Sequence, residues 1–223
     1  MHVASFTILK PNPTNKLIFQ IIGGAMPTPQ IIHQFKITLL DTHPAIWRRI
    51  QVPETYKFWD LHVAIQSAMG WQDEHLHMFR IGRRSAIIIN GNPIEDPFAD
   101  ENTHNGWETE VASFLNMPGD VATYEYDMGD GWLHEILLEG IFLKEKGVKY
   151  PRCIGGGRAC PPEDCGGIPG YEHLLEVLAS PKQPEHAQLI DWLGKKYDPE
   201  KFDAEAVKFA HPKTRWKRWQ EDC

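Results

Sequence analysis

The sequence predicts an α+β fold whose antiparallel or mixed sheet is built from hairpins, with one early helix packed on the sheet and a C-terminal helical segment. Three observations support this prediction. Apolar and polar residues alternate with the period of a half-buried strand in several segments between residues 34 and 142. Turn-forming residues separate neighbouring segments, which favours antiparallel pairing. Apolar residues recur at helical spacing over residues 58–69 and again beyond residue 170.

The first elements are a hairpin and a helix. Alternating apolar residues precede and follow the turn-forming segment Asp41–Pro44. They are Phe35, Ile37 and Leu39 on the first strand, and Ile46, Ile50 and Val52 on the second. After Pro53, apolar residues from Phe58 to Met69 share one face at helical spacing, and Gly70 stands where such a helix would end.

The central region predicts two strands, a loop and a second hairpin. His75–Ile81 alternates, and residues 86–89 form a short apolar strand. Residues 91–109 are polar and rich in turn formers, so they predict a loop. The strands of the second hairpin are expected at Val121–Tyr126 and Leu133–Phe142, on either side of a run rich in Asp and Gly. Three helices are expected after it, at Tyr171–Leu178, Leu189–Leu193 and Phe202–Phe209.

The chain divides into three regions. Residues 1–30 contain four prolines and two adjacent glycines around one short apolar piece, which predicts an irregular N-terminal extension. Residues 31–210 are expected to form the α+β domain. Residues 211–223 form a basic and aromatic C-terminal tail.

Composition excludes several classes of protein. The chain of 223 residues has a net charge of −7 and an isoelectric point near 5.9, which argues against a body that coats a phosphate backbone. No run approaches the roughly 18 to 20 apolar residues of a membrane span, and the start lacks the order of a secretory signal. We therefore expect a soluble cytoplasmic protein with no membrane partner. Its four cysteines are then expected to be free, metal-bound or redox-active.

Three cysteines lie within thirteen residues of a segment rich in Gly and Pro. Zinc takes four thiolate or imidazole ligands, so Cys153, Cys160 and Cys165, with His134 on the preceding strand, predict a closed structural zinc site. His173 and Cys223 are alternative fourth ligands. The spacing is not that of common zinc modules, so two other interpretations stay open: free thiols packed as small apolar side chains, or a redox disulfide between two of them.

The candidate catalytic residues are His75 and the turn residues Asp127 and Asp130. Two carboxylates can hold a hard cation or exchange protons, although a tight hairpin turn also requires Asp and Gly. His75 and His77 would share one face of a strand, where two imidazoles can share a metal. If the turn came near His75, a carboxylate–histidine metal site would become possible.

Two other stretches have compositions found in binding sites. The segment 213–219 is basic and interleaved with aromatic residues, a composition that can contact phosphates while stacking bases. It can equally form a terminal helix that docks its tryptophans, and the acidic body favours that alternative. Glycines 155–157 lack the context of a phosphate-binding loop and predict flexible loop backbone.

Four motifs are distinctive. They are PAIWRR at 44–49, AMGW at 68–71 followed by HLH at 75–77, YEYDMGDGW at 124–132 with His134, and RACPPEDCGG at 158–167. In these motifs, together with the strand segment FKITL at 35–39, the chain resembles the plasmid pRiA4b ORF-3-like family, over a span from about Gln34 to about Phe209. The resemblance implies an α+β domain and implies no activity.

The sequence favours a non-enzymatic binding or adaptor domain, with its cysteine segment stabilised by zinc or by packing and with a protein or nucleic-acid partner in a plasmid or mobile-element setting. One alternative is an enzyme whose cleft is framed by His75, Asp127 and Asp130, with or without a metal. Another is a nucleic-acid-associated protein of a mobile element. No complete acid–base set is visible, which favours the binding domain. The sequence predicts neither the identity of the partner nor the oligomeric state.

Overall fold

The computed structural model describes residues 29–82, 86–91, 102–194 and 197–222. Within these residues, eight strands form one sheet and four α-helices accompany it. The strands are β1 (Ile31–Leu39), β2 (Ile46–Pro53), β3 (His77–Ile81), β4 (Ile87–Asn90), β5 (Thr103–Asn105), β6 (Val121–Tyr126), β7 (Trp132–Leu143) and β8 (Arg152–Gly157). The helices are α1 (Phe58–Met69), α2 (Gly167–Ala179), α3 (His186–Leu193) and α4 (Pro212–Asp222). The predicted α+β class is confirmed.

The sheet has the strand order β5-β4-β3-β6-β7-β1-β2-β8. Both expected hairpins are present, since β1 pairs with β2, and β6 with β7, in antiparallel register. Strand β7 also pairs with β1, so the two hairpins join edge to edge in the middle of the sheet. The pairing of β4 with β5 is parallel, which makes the sheet mixed.

Helix α1 is the central helix of the core. Ten of its twelve residues are buried, and a helix buried on most of its sides must be covered by several elements. Its apolar residues, such as Phe58 and Ile65, join one core cluster with residues of the sheet such as Phe35. The helix ends at Gly70, whose left-handed backbone (φ 95°) lets its N–H bond the carbonyl of Gln66 (2.8 Å).

The glycine-rich run 155–157 belongs to strand β8 and is not a flexible loop, which corrects the expectation from the sequence. Strand β8 pairs antiparallel with β2 at the edge of the sheet. Glycine is required there, because a Cβ at Gly156 would overlap the ring of Phe202 and one at Gly157 would crowd Trp47. A run of glycines shows no apolar alternation, so it contained no strand signal.

The helix expected at Phe202–Phe209 is absent, and this prediction was wrong. The segment consists of bends and turns, and the last helix is α4, inside the region expected to be a tail. Phe202 stacks on the guanidinium of Arg48, which lies 3.8 Å from the ring centroid. The apolar residues of the segment therefore reach the core from an irregular backbone.

Parts of two predicted regions lie outside the described residues. These parts are residues 1–28 of the expected extension and residues 92–101 of the expected loop. The described end of that loop contains strand β5, so it is not irregular throughout. No helix in the described part of the chain combines the length and the apolar composition that a membrane span requires.

Helix α4 docks its tryptophans on the domain. The ring centroid of Trp216 lies 5.0 Å from that of Trp59 on α1 and 5.6 Å from that of Trp107. Trp219 donates a hydrogen bond from Nε1 to the carboxylate of Asp73 (3.3 Å). Of the two roles weighed for the basic stretch, the docked terminal helix is the one that the structure shows.

A buried polar network lies between α1 and the sheet. His62 contacts Asp73 through Nε2 (2.7 Å) and the hydroxyl of Tyr124 through Nδ1 (2.8 Å). Gln66 donates its side-chain amide to the same hydroxyl (3.0 Å). The ring of His77 stacks on that of His62, with centroids 3.4 Å apart and planes at 2°. All five residues are buried, so a partner lost from this network could not be replaced by bulk water.

Replacement of Tyr124 by Phe is expected to lower the free energy of unfolding by about 1–3 kcal/mol, because two buried groups would lose their hydrogen-bond partner. Urea denaturation followed by tryptophan fluorescence measures the change. Tyr56→Phe is the matched control, since the partly buried Tyr56 hydroxyl has no hydrogen bond to any described residue. Equal losses in the two variants would contradict the role of the network.

Candidate metal centre

Asp127 begins the turn between β6 and β7, and its two carboxylate oxygens have different surroundings. Oδ1 accepts the backbone N–H groups of Gly129 (2.9 Å) and Asp130 (3.2 Å), the turn role that the sequence predicted. Oδ2 lies 3.7 Å from Nε2 of His75. The backbone N–H of Asp127 donates to the carbonyl of Leu76 (3.0 Å), which fixes the turn beside the start of β3.

His75, Asp127 and Asp164 form one cluster of possible metal ligands. Each offers one ligand atom, and these atoms lie within 4.8 Å of one another. Nε2 of His75 is 3.0 Å from Oδ1 of Asp164. Solvent does not reach this nitrogen, yet it forms no hydrogen bond with any of the described residues. The side chains are 11% exposed for Asp127, 30% for His75 and 62% for Asp164, so the cluster opens to solvent on the Asp164 side.

Asp130, the other predicted turn carboxylate, positions the cluster without joining it. Its Oδ2 accepts the backbone N–H of Gly166 (3.2 Å). The backbones are also in close contact, since a Cβ at Gly167 would overlap the carbonyl oxygen of Asp130. Asp130 therefore holds the loop that contains Asp164 against the turn that contains Asp127.

Glu163 ties the same loop to the sheet. One of its carboxylate oxygens accepts the hydroxyl of Tyr126, and the other accepts the backbone N–H of Gln72 (2.8 Å). Burial, together with the bond to Glu163, raises the pKa of Tyr126, so the phenol stays protonated. The Tyr126 hydroxyl also accepts the backbone N–H of Glu74 (3.1 Å). These bonds fix the chain immediately before His75.

A cleft of about 740 Å³ adjoins the cluster and shares Asp164 with it. Its walls come from the C-terminal end of α1, from the cysteine segment 159–164 and from residues between 192 and 208. This volume suits a small organic molecule. A ligand in the cleft would therefore lie next to the cluster.

The structure does not bring the predicted zinc ligands together. Among the described residues, metal-ligating groups near enough to share an ion form two clusters, and neither contains a cysteine or His134. His134 lies on β7, with Nδ1 3.1 Å from the carbonyl of Trp132. Cys153 lies on β8, and strands β1 and β2 separate β7 from β8 in the sheet. A zinc site at these residues would require the cysteine segment to move, and it stays a prediction.

The three cysteines are free and partly buried against the core. Burial raises the pKa of each thiol, to about 12 for Cys165. Of the alternative fourth ligands, His173 lies 2.9 Å from Glu185 on the surface. Cys223 lies outside the described residues.

The second cluster of metal-ligating residue types is His62, Asp73 and His77, and all three are buried. Imidazole lone pairs lie in the ring plane, so two parallel stacked rings cannot both direct a nitrogen at one ion between them. Both nitrogens of His62 already have partners. This cluster belongs to the buried network. His75 precedes β3, which begins at His77, so the two imidazoles do not share a strand face as expected.

Sequence reasoning missed Asp164. It lies in the RACPPEDCGG motif, where the cysteines were the candidates, and its partners lie far earlier in the chain. The acidic pair Glu163–Asp164 inside that motif was the available signal. The structure brings the Asp127 turn near His75, which is the condition under which the sequence made a carboxylate–histidine metal site possible.

The burial of His134 is expected to make the stability of the protein depend on pH. It is wholly buried, and burial lowers its pKa from the ordinary 6.5 to about 4. Below pH 6.5 the unfolded chain takes up a proton at this residue while the folded protein does not. The free energy of unfolding is therefore expected to fall as the pH is lowered from about 6.5 to about 4, by roughly 3 kcal/mol from this residue.

Urea denaturation across this pH range tests the expectation. His134→Leu should remove this part of the pH dependence, whereas His173→Leu, at a residue whose side chain is 60% exposed, should keep it. A His134→Leu variant with the slope of the wild type would show that His134 does not exclude the proton.

Known proteins match most of this chain. The family model described as Plasmid pRiA4b ORF-3-like protein matches residues 31–206. The uncharacterized protein y4hQ of Sinorhizobium fredii (strain NBRC 101917 / NGR234) is 34% identical over 182 residues, which cover 79% of this chain and 86% of that protein. The crystal structure of a protein of unknown function, MM3350 from Methanosarcina mazei Go1, matches with a TM-score of 0.72 and 37% identity, over 82% of this chain and 100% of that one. The resemblance seen in the four motifs is thus confirmed, and the chain belongs to the plasmid pRiA4b ORF-3-like protein family.

Proposed function

We propose that the protein is a divalent-cation-binding domain in which His75, Asp127 and Asp164 hold the ion and the adjoining cleft holds a ligand beside it. The observation behind this proposal is the convergence of three ligand atoms from three separate segments within 4.8 Å. The proposal retains the binding function expected from the sequence, but its metal ligands are two carboxylates and one imidazole instead of the cysteines and His134.

The set of ligands suits zinc or manganese. Imidazole nitrogen suits zinc, and carboxylate oxygens suit manganese and magnesium, so one His with two Asp favours Zn²⁺ or Mn²⁺. Three protein ligands leave coordination positions free, as in sites where the metal meets water or a ligand. Because Asp164 lines the cleft, a ligand there is near enough to take such a position.

The surroundings of His75 support metal ligation over a simple ion pair. Its Nε2 is closed to solvent and lies 3.0 Å and 3.7 Å from two carboxylates, yet no hydrogen bond of acceptable angle forms with the described residues. A metal ion would satisfy the nitrogen and both carboxylates at once. It would also offset the repulsion between Asp127 and Asp164.

Metal-assisted hydrolysis is a second candidate function. The free coordination positions favour it, because a divalent ion lowers the pKa of bound water and polarises a phosphoryl or carbonyl oxygen. Mn²⁺-dependent cleavage of p-nitrophenyl phosphate or p-nitrophenyl acetate that is lost in Asp164→Asn would establish it. Binding without turnover would leave the binding function alone.

Titration of the metal-free protein with Mn²⁺, followed by electron paramagnetic resonance, is expected to show one site. Asp127→Asn and Asp164→Asn should each weaken binding at least roughly tenfold, because each removes one charged ligand. Asn at residue 127 keeps an oxygen that can accept the turn N–H groups, so the fold should survive. Asp191→Asn on α3 is the matched control and should bind Mn²⁺ like the wild type.

An unchanged Mn²⁺ affinity in both cluster variants, with circular dichroism showing intact folds, would overturn the proposal. Zn²⁺ titration by calorimetry extends the test to the other favoured ion. Zinc binding that survives both variants and is lost on alkylation of the thiols would assign the metal to the cysteine segment instead.

The predicted cysteine site has its own measurement. Elemental analysis of untagged protein purified without chelator gives the zinc content, and thiol titration before and after a strong chelator reports protection. One equivalent of zinc, with thiols released only by the chelator, would support a site at Cys153, Cys160 and Cys165. Thiols that react at the same rate before and after chelation would exclude it.

A further inference from the structure

Arg48 on β2 is 1% exposed and lines the cleft. Its Nε donates to the carbonyl of Ala68 (2.8 Å), and its Nη1 donates to the carbonyls of Trp47 (2.8 Å) and Gly157 (3.0 Å). Each of these acceptors is a neutral main-chain oxygen. Within the described residues, Nη2 has no hydrogen bond and Arg48 takes part in no ion pair.

The charge of Arg48 therefore has no counter-ion among the described residues. The ionisable groups near it that could become anionic are Cys160, Cys153 and Tyr197. Burial raises the pKa of all three, so they are neutral near pH 7. A buried cation without a compensating anion is unfavourable. An anionic ligand at this end of the cleft would supply the missing charge.

Two lysines extend the positive charge along the cleft. Lys201 and Lys208 line it, and neither forms an ion pair with a described residue. The carboxylates on the same wall, Asp198 and Asp203, each accept a backbone N–H of their own turn, at 3.1 Å and 3.0 Å. Both lysine ammonium groups are thus available to a bound anion.

One wall of the cleft offers an aromatic surface. Trp192 lines it with half of its surface exposed. An exposed indole is a stacking surface for a planar group, because offset stacking buries apolar area on both rings. A ligand with both a ring and an anionic group would use both features of the cleft.

We infer that the cleft binds a small organic anion, with its phosphate or carboxylate group facing Arg48, Lys201 and Lys208 and its planar group against Trp192. The two lysine ammonium groups can donate to the oxygens of either anionic group. Arg48 is buried beneath the ring of Phe202, so it acts on the anion through its charge. The inference rests on the proposed function in one respect, namely that the cation bound at the rim contacts the same ligand.

Titration of the full chain with phenyl phosphate, benzoate and inorganic phosphate tests this, with Mn²⁺ present and with EDTA present. Tryptophan fluorescence and calorimetry report binding. Phenyl phosphate is expected to bind at least roughly tenfold more tightly than inorganic phosphate, because its ring adds stacking. Mn²⁺ is expected to tighten its binding further. Comparison with benzoate separates a phosphate site from a carboxylate site.

The double variant Lys201→Gln/Lys208→Gln is expected to weaken phenyl phosphate binding at least roughly tenfold and to leave the affinity for Mn²⁺ unchanged. The matched control Lys182→Gln/Lys217→Gln removes the same charge from exposed residues outside the cleft. It should bind phenyl phosphate like the wild type. Arg48 is kept, because its hydrogen bonds hold α1 and β8.

No binding of the three anions, in Mn²⁺ or in EDTA, would overturn the inference, and the separate Mn²⁺ titration would still decide the proposed function. Equal weakening in the two double variants would also overturn it, because the effect would then come from net charge alone. Anion binding in EDTA by a protein that fails to bind Mn²⁺ would overturn the proposed function and leave the anion site standing.

Discussion

The rest of this structure depends on the hydrogen bonds that the buried guanidinium of Arg48 donates to main-chain carbonyls. It lies where β2, the end of α1 and the edge strand β8 meet, and it donates a hydrogen bond to a carbonyl of α1 and another to a carbonyl of β8. The ring of Phe202 covers it. The last carbonyls of a helix lack partners and have partial negative charge, so a cation there is favourable. One side chain thus joins helix, sheet edge and C-terminal segment, and the floor of the cleft results from that junction.

The acidic rim of the cleft depends on a second junction, between the β6–β7 turn and the cysteine segment. Asp130 accepts the backbone N–H of Gly166 and so holds the two loops together. Asp127 and Asp164 both have left-handed backbone, with φ of 53° and 57°, a conformation that Asp adopts more readily than most residues. Such positions persist where surrounding contacts determine them, and they concentrate at functional sites. Contacts of neighbouring residues therefore hold two mutually repelling carboxylates in one cluster.

Local signals in the sequence were sufficient for the hairpins and for α1, because apolar periodicity, turn residues and a terminal glycine such as Gly70 are properties of short segments. Features set by distant contacts could not be predicted this way. Phe202 lies on an irregular segment and packs on Arg48, a contact between residues far apart in the chain. The glycines of β8 show no apolar alternation, so the sequence did not indicate this strand. In the candidate site, the sequence indicated the turn carboxylate Asp127 but not Asp164, since only the fold brings the cysteine segment to the turn. His134 was chosen as a ligand because β7 precedes the cysteines in sequence, yet β1 and β2 separate β7 from β8 in the sheet.

Charge couples the two halves of the cleft. Glu163 and Asp164 line the same cleft as Arg48 and the two lysines, so negative and positive groups face one space. Carboxylates at the rim repel an anion that comes within a Debye length, about 8 Å at physiological ionic strength. A divalent ion on Asp127 and Asp164 would reverse the sign of the local charge, because bound cations are often the largest charges in a site. In a chain of net charge −7, the affinity of the proposed anion site would then depend on whether the proposed cation site is occupied, since only with the ion in place would the ligand meet positive charge at both ends.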